Sequence, residues 1–316
     1  MTDIEPSLNL ILRIKENIGK AFVGKENIIE MILAALICSG HVLIEDVPGL
    51  GKTTLVSALA RSLKCSHRRI QFTPDVLPSD VTGYTVFNAR TGEREVVFGG
   101  VMAQVVLADE INRTSPKTQS SLLEVMQESQ VTIDGVSYSV PQPFIVLATQ
   151  NPIEHVGTYP LPEAQLDRFL FKLSIGYPQK DDELDILRRN KGEKPLDAIE
   201  PVASAEDILR LRAFHAGIIC ENAVMDYIVS IAEATRRHSR ITLGISPRGS
   251  LALMNAAMAR AMLQGRTFTL PDDVQAMAVP VLAHRLVLSL EAVQENDSAE
   301  DLVQLILQSV KVPGVS

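Results

Sequence analysis

The feature that most limits the fold of this chain is a short apolar run, His41-Val-Leu-Ile44, followed at once by Asp46-Val-Pro-Gly-Leu-Gly51-Lys52-Thr53 and then a helical stripe of Leu55, Leu59 and Leu63. A buried strand, a glycine-bearing loop and a helix start in that order make a phosphate cradle. Free N–H groups and the dipole at a helix N-terminus attract anions, a lysine reaches the outer phosphates, and the next hydroxyl takes Mg2+. The loop departs from the usual pattern at one place, since Asp46 stands six residues before the lysine where glycine is expected. Asp tolerates left-handed backbone better than most residues, so the loop is expected to survive with Asp46 in that conformation.

Two further runs, Val105-Val-Leu-Ala108 and Phe144-Ile-Val-Leu-Ala148, have the length of strands buried on both faces, and helical stripes such as Leu122, Leu123 and Met126 lie between them. Strand and helix in alternation predict a parallel sheet flanked by helices. Two hairpins interrupt the rhythm. One turns at Asp134-Gly135, and the other turns around Ala89 to Gly92 between Tyr84–Phe87 and Glu95–Phe98. Beyond Gly176 the strand runs stop. A short helix at Asp181–Asn190 and a polar stretch, Lys191–Ser204, lead to a capping box at Ser204-Ala-Glu-Asp207, then to stripes through Ile208, Leu211 and Phe214, through Val224, Ile228 and Ile231, and through Leu251, Met254 and Met258. The expected organisation is an α/β domain over residues 1–176 and an all-helical domain over 177–316.

The second run ends in Asp109-Glu110 and the third in Thr149-Gln-Asn151-Pro. Beside a phosphate loop, Asp109 can hold Mg2+ and Glu110 can activate the attacking water, which Asn151 can help to position. Alone, an acidic pair at a strand end caps the next helix and Asn-Pro is a turn. Arg168, in Leu161-Pro-Glu-Ala-Gln-Leu-Asp-Arg168-Phe, lies too far along to reach its own phosphate loop obviously, so it either serves a neighbouring subunit or pairs with Asp167. Arg248 follows Ser246-Pro247 at a helix start, where a cation opposes the dipole unless an anion or solvent accommodates it.

Charge and composition exclude several classes. The net charge is −8, which argues against a sequence-independent grip on nucleic acid. The basic cluster Arg61, Lys64, Arg68 and Arg69 reads as a solvated helix end. The longest apolar run, Met31–Cys38, is far shorter than the about 20 residues that span a bilayer, and no basic-then-apolar signal opens the chain, so a cytoplasmic protein without a membrane segment is expected. Three widely spaced cysteines and six unpaired histidines support neither a disulfide framework nor a zinc site.

Taken together, Val47-Pro-Gly-Leu-Gly-Lys-Thr53, Ala108-Asp-Glu-Ile-Asn-Arg113, Ala148-Thr-Gln-Asn-Pro152, Leu161–Phe169 and Ser246-Pro-Arg248 closely resemble the MoxR family of AAA+ ATPases over nearly the whole chain. The resemblance implies a P-loop AAA+ core carrying two inserted β-hairpins, followed by a helical lid. It implies nucleotide contacts from Pro48, Gly49, Leu50, Gly51, Lys52, Thr53 and Thr54, an adenine-side segment Phe22-Val23-Gly24, and Mg2+ at Thr53 and Asp109. Glu110 is then the Walker B base, Asn151 sensor 1, Arg168 the arginine finger and Arg248 sensor 2. It further implies ATP hydrolysis in a ring oligomer, typically a hexamer, acting like a chaperone on partners with von Willebrand factor A domains. The alternatives are a magnesium-chelatase-like motor subunit and, from another class, a nucleic-acid-dependent ATPase.

Overall fold

A computed structural model describes residues 4–47, 49–90, 92–152, 157–191 and 194–314. Its first part contains β1 (Val42–Glu45), β2 (His67–Gln71), β3 (Gly83–Asn88), β4 (Glu93–Phe98), β5 (Val105–Asp109), β6 (Gln130–Ile133), β7 (Val136–Ser139), β8 (Ile145–Gln150) and β9 (Phe171–Leu173). Five of these form one sheet in the order β2-β5-β8-β1-β9, with every pairing parallel. The chain passes from β1 out to the β2 edge, works back through β5 and β8, and crosses β1 to place β9. The reversal beside β1 is where α/β sheets open a crevice at the carboxyl ends of their strands. The register Ile44↔Thr149 and Gln71↔Asp109 brings the ends of β1, β8, β5 and β2 to one edge in that order.

The sheet is covered on both faces. Val42, Ile44, Leu107 and Leu147 join one apolar cluster with Leu55 and Leu59 of the helix Lys52–Ser62, while Leu43, Val106, Ala108 and Val146 join another with Leu122, Leu123 and Met126 of the helix Pro116–Glu128. Alternate residues of one strand thus serve opposite faces, which is why these runs read as continuously apolar. Each fully buried Leu or Ile side chain contributes about 1.5–3 kcal/mol. Buried His41 precedes β1. Its Nδ1 accepts the Val146 N–H at 3.0 Å and its Nε2 lies 3.0 Å from the Met126 carbonyl, so this ring fastens β1 to β8 and to the helix behind them.

The sequence reading missed two of the sheet strands. Only Ile70 of β2 is buried and β9 has three residues, so neither carries an apolar run long enough to register. The helix-end reading of the basic cluster is corrected as well. Arg61 does end a helix, but Arg68 and Arg69 belong to β2.

Both expected hairpins are present. β6 and β7 pair across Asp134 (φ 49°) and Gly135 (φ 82°), the two consecutive positive φ angles of a tight hairpin turn. β3 pairs with β4, leaving Phe87 exposed, and the hairpins meet through Phe98 and Tyr138, whose rings lie edge to face with centroids 5.3 Å apart.

The remainder is helical, with the longer helices at Ala205–His215, Asn222–Arg237, Pro247–Leu263, Pro271–Leu282 and Ala299–Ser309. Ser204 and Asp207 form the expected reciprocal cap. A small antiparallel ribbon of β10 (Ile241–Leu243) and β11 (Val287–Leu288) is added to the all-helical expectation, its strands too short to show an alternating pattern. Among the described residues, no helix is long and apolar enough to cross a membrane.

Candidate functional site

The loop after β1 bends at Gly49 (φ 90°) and Gly51 (φ 80°). Gly51 is the N-cap of the helix Lys52–Ser62 and has no side chain to cap it, so the first-turn N–H groups remain available to an anion. The left-handed residues are therefore these glycines, and Asp46 does other work, contrary to the sequence expectation. Its buried carboxylate accepts hydrogen bonds from the Ser174 hydroxyl (2.9 Å) and the backbone N–H groups of Ile175 (2.5 Å) and Gly176 (3.2 Å). Asp46 ties the loop to the chain leaving β9, a place glycine could not fill. Pro48 lies outside the described residues.

A cavity of about 230 Å³ opens at this sheet edge, lined by Gly49, Gly51, Lys52, Thr53, Asp46, Asp109, Glu110, Asn151 and Arg69. Lys52 Nζ donates to the Asp46 carbonyl at 2.9 Å. Burial draws the Lys52 ammonium below its ordinary value, while the Asp46, Asp109 and Glu110 carboxylates pull it back up. Asp109 Oδ1 accepts from the Thr149 hydroxyl at 2.6 Å, and Oδ2 accepts from Arg69 Nη2 at 2.5 Å and Nε at 3.2 Å. Glu110 sits in left-handed backbone (φ 58°), with its N–H on Thr149 Oγ1 at 2.9 Å and its Oε2 accepting from Gln71 (2.6 Å) and Arg113 (3.1 Å). Asn151 is buried against the same cavity.

A second cavity, about 390 Å³ and more apolar, adjoins the loop and is lined in part by Phe22, Val23, Leu50, Thr54, Ile186 and Leu196. Phe22 lies along the loop, its ring 3.4 Å from where a Gly51 Cβ would stand. Gly24 (φ 75°) suits its left-handed backbone, and the Asp182 carboxyl lies close over it, 2.1 Å from where a Cβ would stand. A polar cavity thus lies beside a more apolar one, on either side of the same loop.

Hard oxygens at Thr53 and Asp109 next to a lysine form a donor set that suits Mg2+. Among the described residues there is no cluster of three or more His, Cys, Asp or Glu that would hold a metal by protein ligands alone. Such a site keeps its ion through substrate phosphates and water.

The two arginines predicted from sequence line neither cavity. Arg168 is partly exposed, and its side chain makes no hydrogen bond or ion pair among the described residues. Its suspected partner Asp167 instead serves Arg285 at 2.8 Å and Arg248 at 3.7 Å. Arg69, Gln71 and Arg113 hold the Asp109 and Glu110 carboxylates, a role the sequence reading did not give them, having placed Arg69 on a solvated helix end. The signal for the first two was period-two spacing in His67–Gln71, which puts Arg69 and Gln71 on one face of a strand beside Asp109.

Comparison with known proteins agrees with this layout. Residues 41–171 match the family described as ATPase family associated with various cellular activities (AAA), and residues 233–306 match the AAA lid domain. The uncharacterized protein YeaC of Bacillus subtilis (strain 168) is 51% identical over 98% of this chain and 96% of its own length. Chaperone MoxR1 of Mycobacterium tuberculosis is 42% identical over 95% of this chain and 81% of its own. A crystal structure from Cytophaga hutchinsonii superimposes with a TM-score of 0.92 at 38% identity, covering 98% of this chain and 96% of that one.

Proposed function

Because this chain belongs to the MoxR family of AAA+ ATPases, we propose that it hydrolyses ATP with Mg2+ in a ring oligomer, typically a hexamer, and uses the cycle to remodel or activate protein partners that carry von Willebrand factor A domains. One observation carries the chemistry: Lys52, Thr53, Asp109, Glu110 and Asn151, from three different strand ends, line one cavity at the N-terminus of a helix.

In this reading the uncapped N–H groups of the loop and the Lys52 ammonium bind the phosphates, while Phe22, Val23 and Leu50 receive the base. Thr53 and Asp109 would hold Mg2+, which when bound would supply positive charge against the phosphates. Glu110 takes the proton of the attacking water and Asn151 orients that water. Gln71 and Arg113 both donate to Glu110 Oε2, which holds the carboxylate in place and leaves Oε1 to receive that proton. Arg168 is proposed to reach the phosphates of a neighbouring subunit, supported by its partial exposure and its lack of a side-chain partner among the described residues. Arg248 is proposed to sense nucleotide from the lid, residues 177–316, across the boundary with the nucleotide-binding domain, residues 1–176. The exposed hairpin residues Tyr84, Phe87 and Val136 supply a surface for a protein client.

Lys52→Ala and Glu110→Gln test the assignment with labelled ATP. Lys52→Ala is expected to lose binding. Glu110→Gln is expected to bind like the parent and to turn over at least about a hundredfold more slowly. Parental turnover by Glu110→Gln would remove Glu110 from the role of base. Capturing proteins from native lysate on Glu110→Gln, with Lys52→Ala as control, tests the partner class through enrichment of a von Willebrand A domain protein.

A further inference from the structure

The cavity that holds Lys52 contains a second cation that no role yet assigned to this site employs. β2 reads His67-Arg-Arg-Ile-Gln, and strand alternation sends Arg69 and Gln71 to one side and buries Ile70 on the other. The register Gln71↔Asp109 aligns that side with the end of β5. Arg69 consequently meets Asp109 side-on, with Nε and Nη2 both on Oδ2, while Nη2 also donates to Gln71 Oε1 at 2.7 Å. Asp109 is fully engaged, because its other oxygen accepts from Thr149. The oxygen that faces Arg69 is thus held by a guanidinium, a strong charge-assisted contact.

The two partners are not equally held. The Asp109 side chain is 15% exposed and fixed by β5 and Thr149, whereas the Arg69 side chain is 51% exposed and has solvent to move into. A divalent ion that approaches Oδ2 meets the guanidinium already bound there, and like charges at such separation repel in a partly enclosed cavity. Of the two partners, Arg69 is the one free to leave.

We propose that Arg69 is an internal counter-ion for Asp109, a positioning residue that neutralises the metal-ligating carboxylate while no divalent ion is present and is displaced when Mg2+ arrives with the nucleotide. The proposal rests on the reading of this cavity as an ATP–Mg2+ site. It makes the Mg2+ requirement a competition set by one side chain. It also links arrival of the ion to release of Gln71, because Arg69 and Glu110 grip the two ends of the same Gln71 amide.

The test is nucleotide binding, read by fluorescent ATP analogue titration of the full chain in EDTA and over a series of Mg2+ concentrations, for the parent, Arg69→Gln and Arg69→Lys. Arg69→Gln is expected to lower the Mg2+ concentration at half-effect by about tenfold, with affinity in EDTA changed by less than about threefold, and Arg69→Lys is expected to fall between it and the parent. An unchanged Mg2+ midpoint in Arg69→Gln, with thermal melting showing the variant folded, would overturn the proposal. A loss of about tenfold or more in EDTA would overturn it differently, by making Arg69 a direct phosphate ligand. A parent chain that binds no nucleotide in either condition would instead bring down the ATP-site reading itself.

Discussion

The carboxylate of Asp167 accepts a 2.8 Å hydrogen bond from Nε of Arg285, a guanidinium whose side chain is only 4% exposed. Arg285 also donates to the carbonyls of Phe169, Leu170 and Val281, so the segment that carries Arg168 is stitched to the C-terminal helices at several points. Burial draws the Arg285 guanidinium below its ordinary value and Asp167 opposes that shift, as expected for a buried cation that depends on its counter-charge. Asp167→Ala strands that cation, and the expected cost is about 3–5 kcal/mol. Urea denaturation should show a clearly lower midpoint, with Asp167→Asn in between because it keeps one acceptor. A parental midpoint for Asp167→Ala would mean that the backbone carbonyls alone hold Arg285.

Arg168, next in the chain, makes no such ties among the described residues. If it acts across a subunit boundary, Arg168→Ala should bind ATP normally and hydrolyse it about a thousandfold or more slowly. Mixing Arg168→Ala with Lys52→Ala should restore part of the activity, since one class of interface then joins an intact phosphate loop to an intact arginine. Absence of recovery after demonstrated subunit exchange would assign Arg168 to its own chain.

Asp46→Gly returns the loop to the common P-loop pattern, and sequence comparison alone would rate it harmless. The hydrogen bonds at Ser174, Ile175 and Gly176 predict the opposite. Leaving buried N–H groups without an acceptor costs about 1–3 kcal/mol. The variant should melt earlier and bind ATP more weakly, and both should be visible in one thermal-shift titration with nucleotide.

Three histidines shape the acid limb of stability. Burial lowers His41 to about 4 from an ordinary 6.5, and burial also lowers His215 and His284. A folded-state value below the unfolded one means that the unfolded chain takes up protons first. Their stabilisation is complete above about pH 6.5 and is lost as pH falls below it, for His41 down to about 4, by up to about 1.4 kcal/mol per group and pH unit. Denaturant midpoints at pH 7.5, 6 and 5 should fall steadily. A flat profile over that range would show that these rings titrate alike in both states.

The readable parts of this protein were those written in contiguous residues. β1, β5 and β8 are buried on both faces and announce themselves as apolar runs, and Gly51-Lys52-Thr53 and Asp109-Glu110 sit directly at their ends. Arg69 was misassigned because an edge strand such as β2 needs few apolar residues, so its charged members looked like a solvated face. Asp46 was assigned to backbone strain because its partners lie about 130 residues away on the exit from β9. Arg285 could not be paired with Asp167, 118 positions earlier in the chain, by any local pattern. In each case the missing information is tertiary: which strand forms the edge and which loops converge on it.

The edge-to-face contact of Phe98 with Tyr138 has a mechanical consequence. Two separate hairpins would each bend alone under a tug at the tip, whereas hairpins braced at their bases form a single stiff prow. Phe87 is thereby connected, through β4 and the Phe98–Tyr138 contact, to β7 and β6, which follows the helix Pro116–Glu128 and the short turn Ile111–Arg113 beside Glu110. In the proposed reading, load on the hairpins and proton transfer at Glu110 share one strut, and Tyr138→Ala is expected to let client grip and turnover drift out of step.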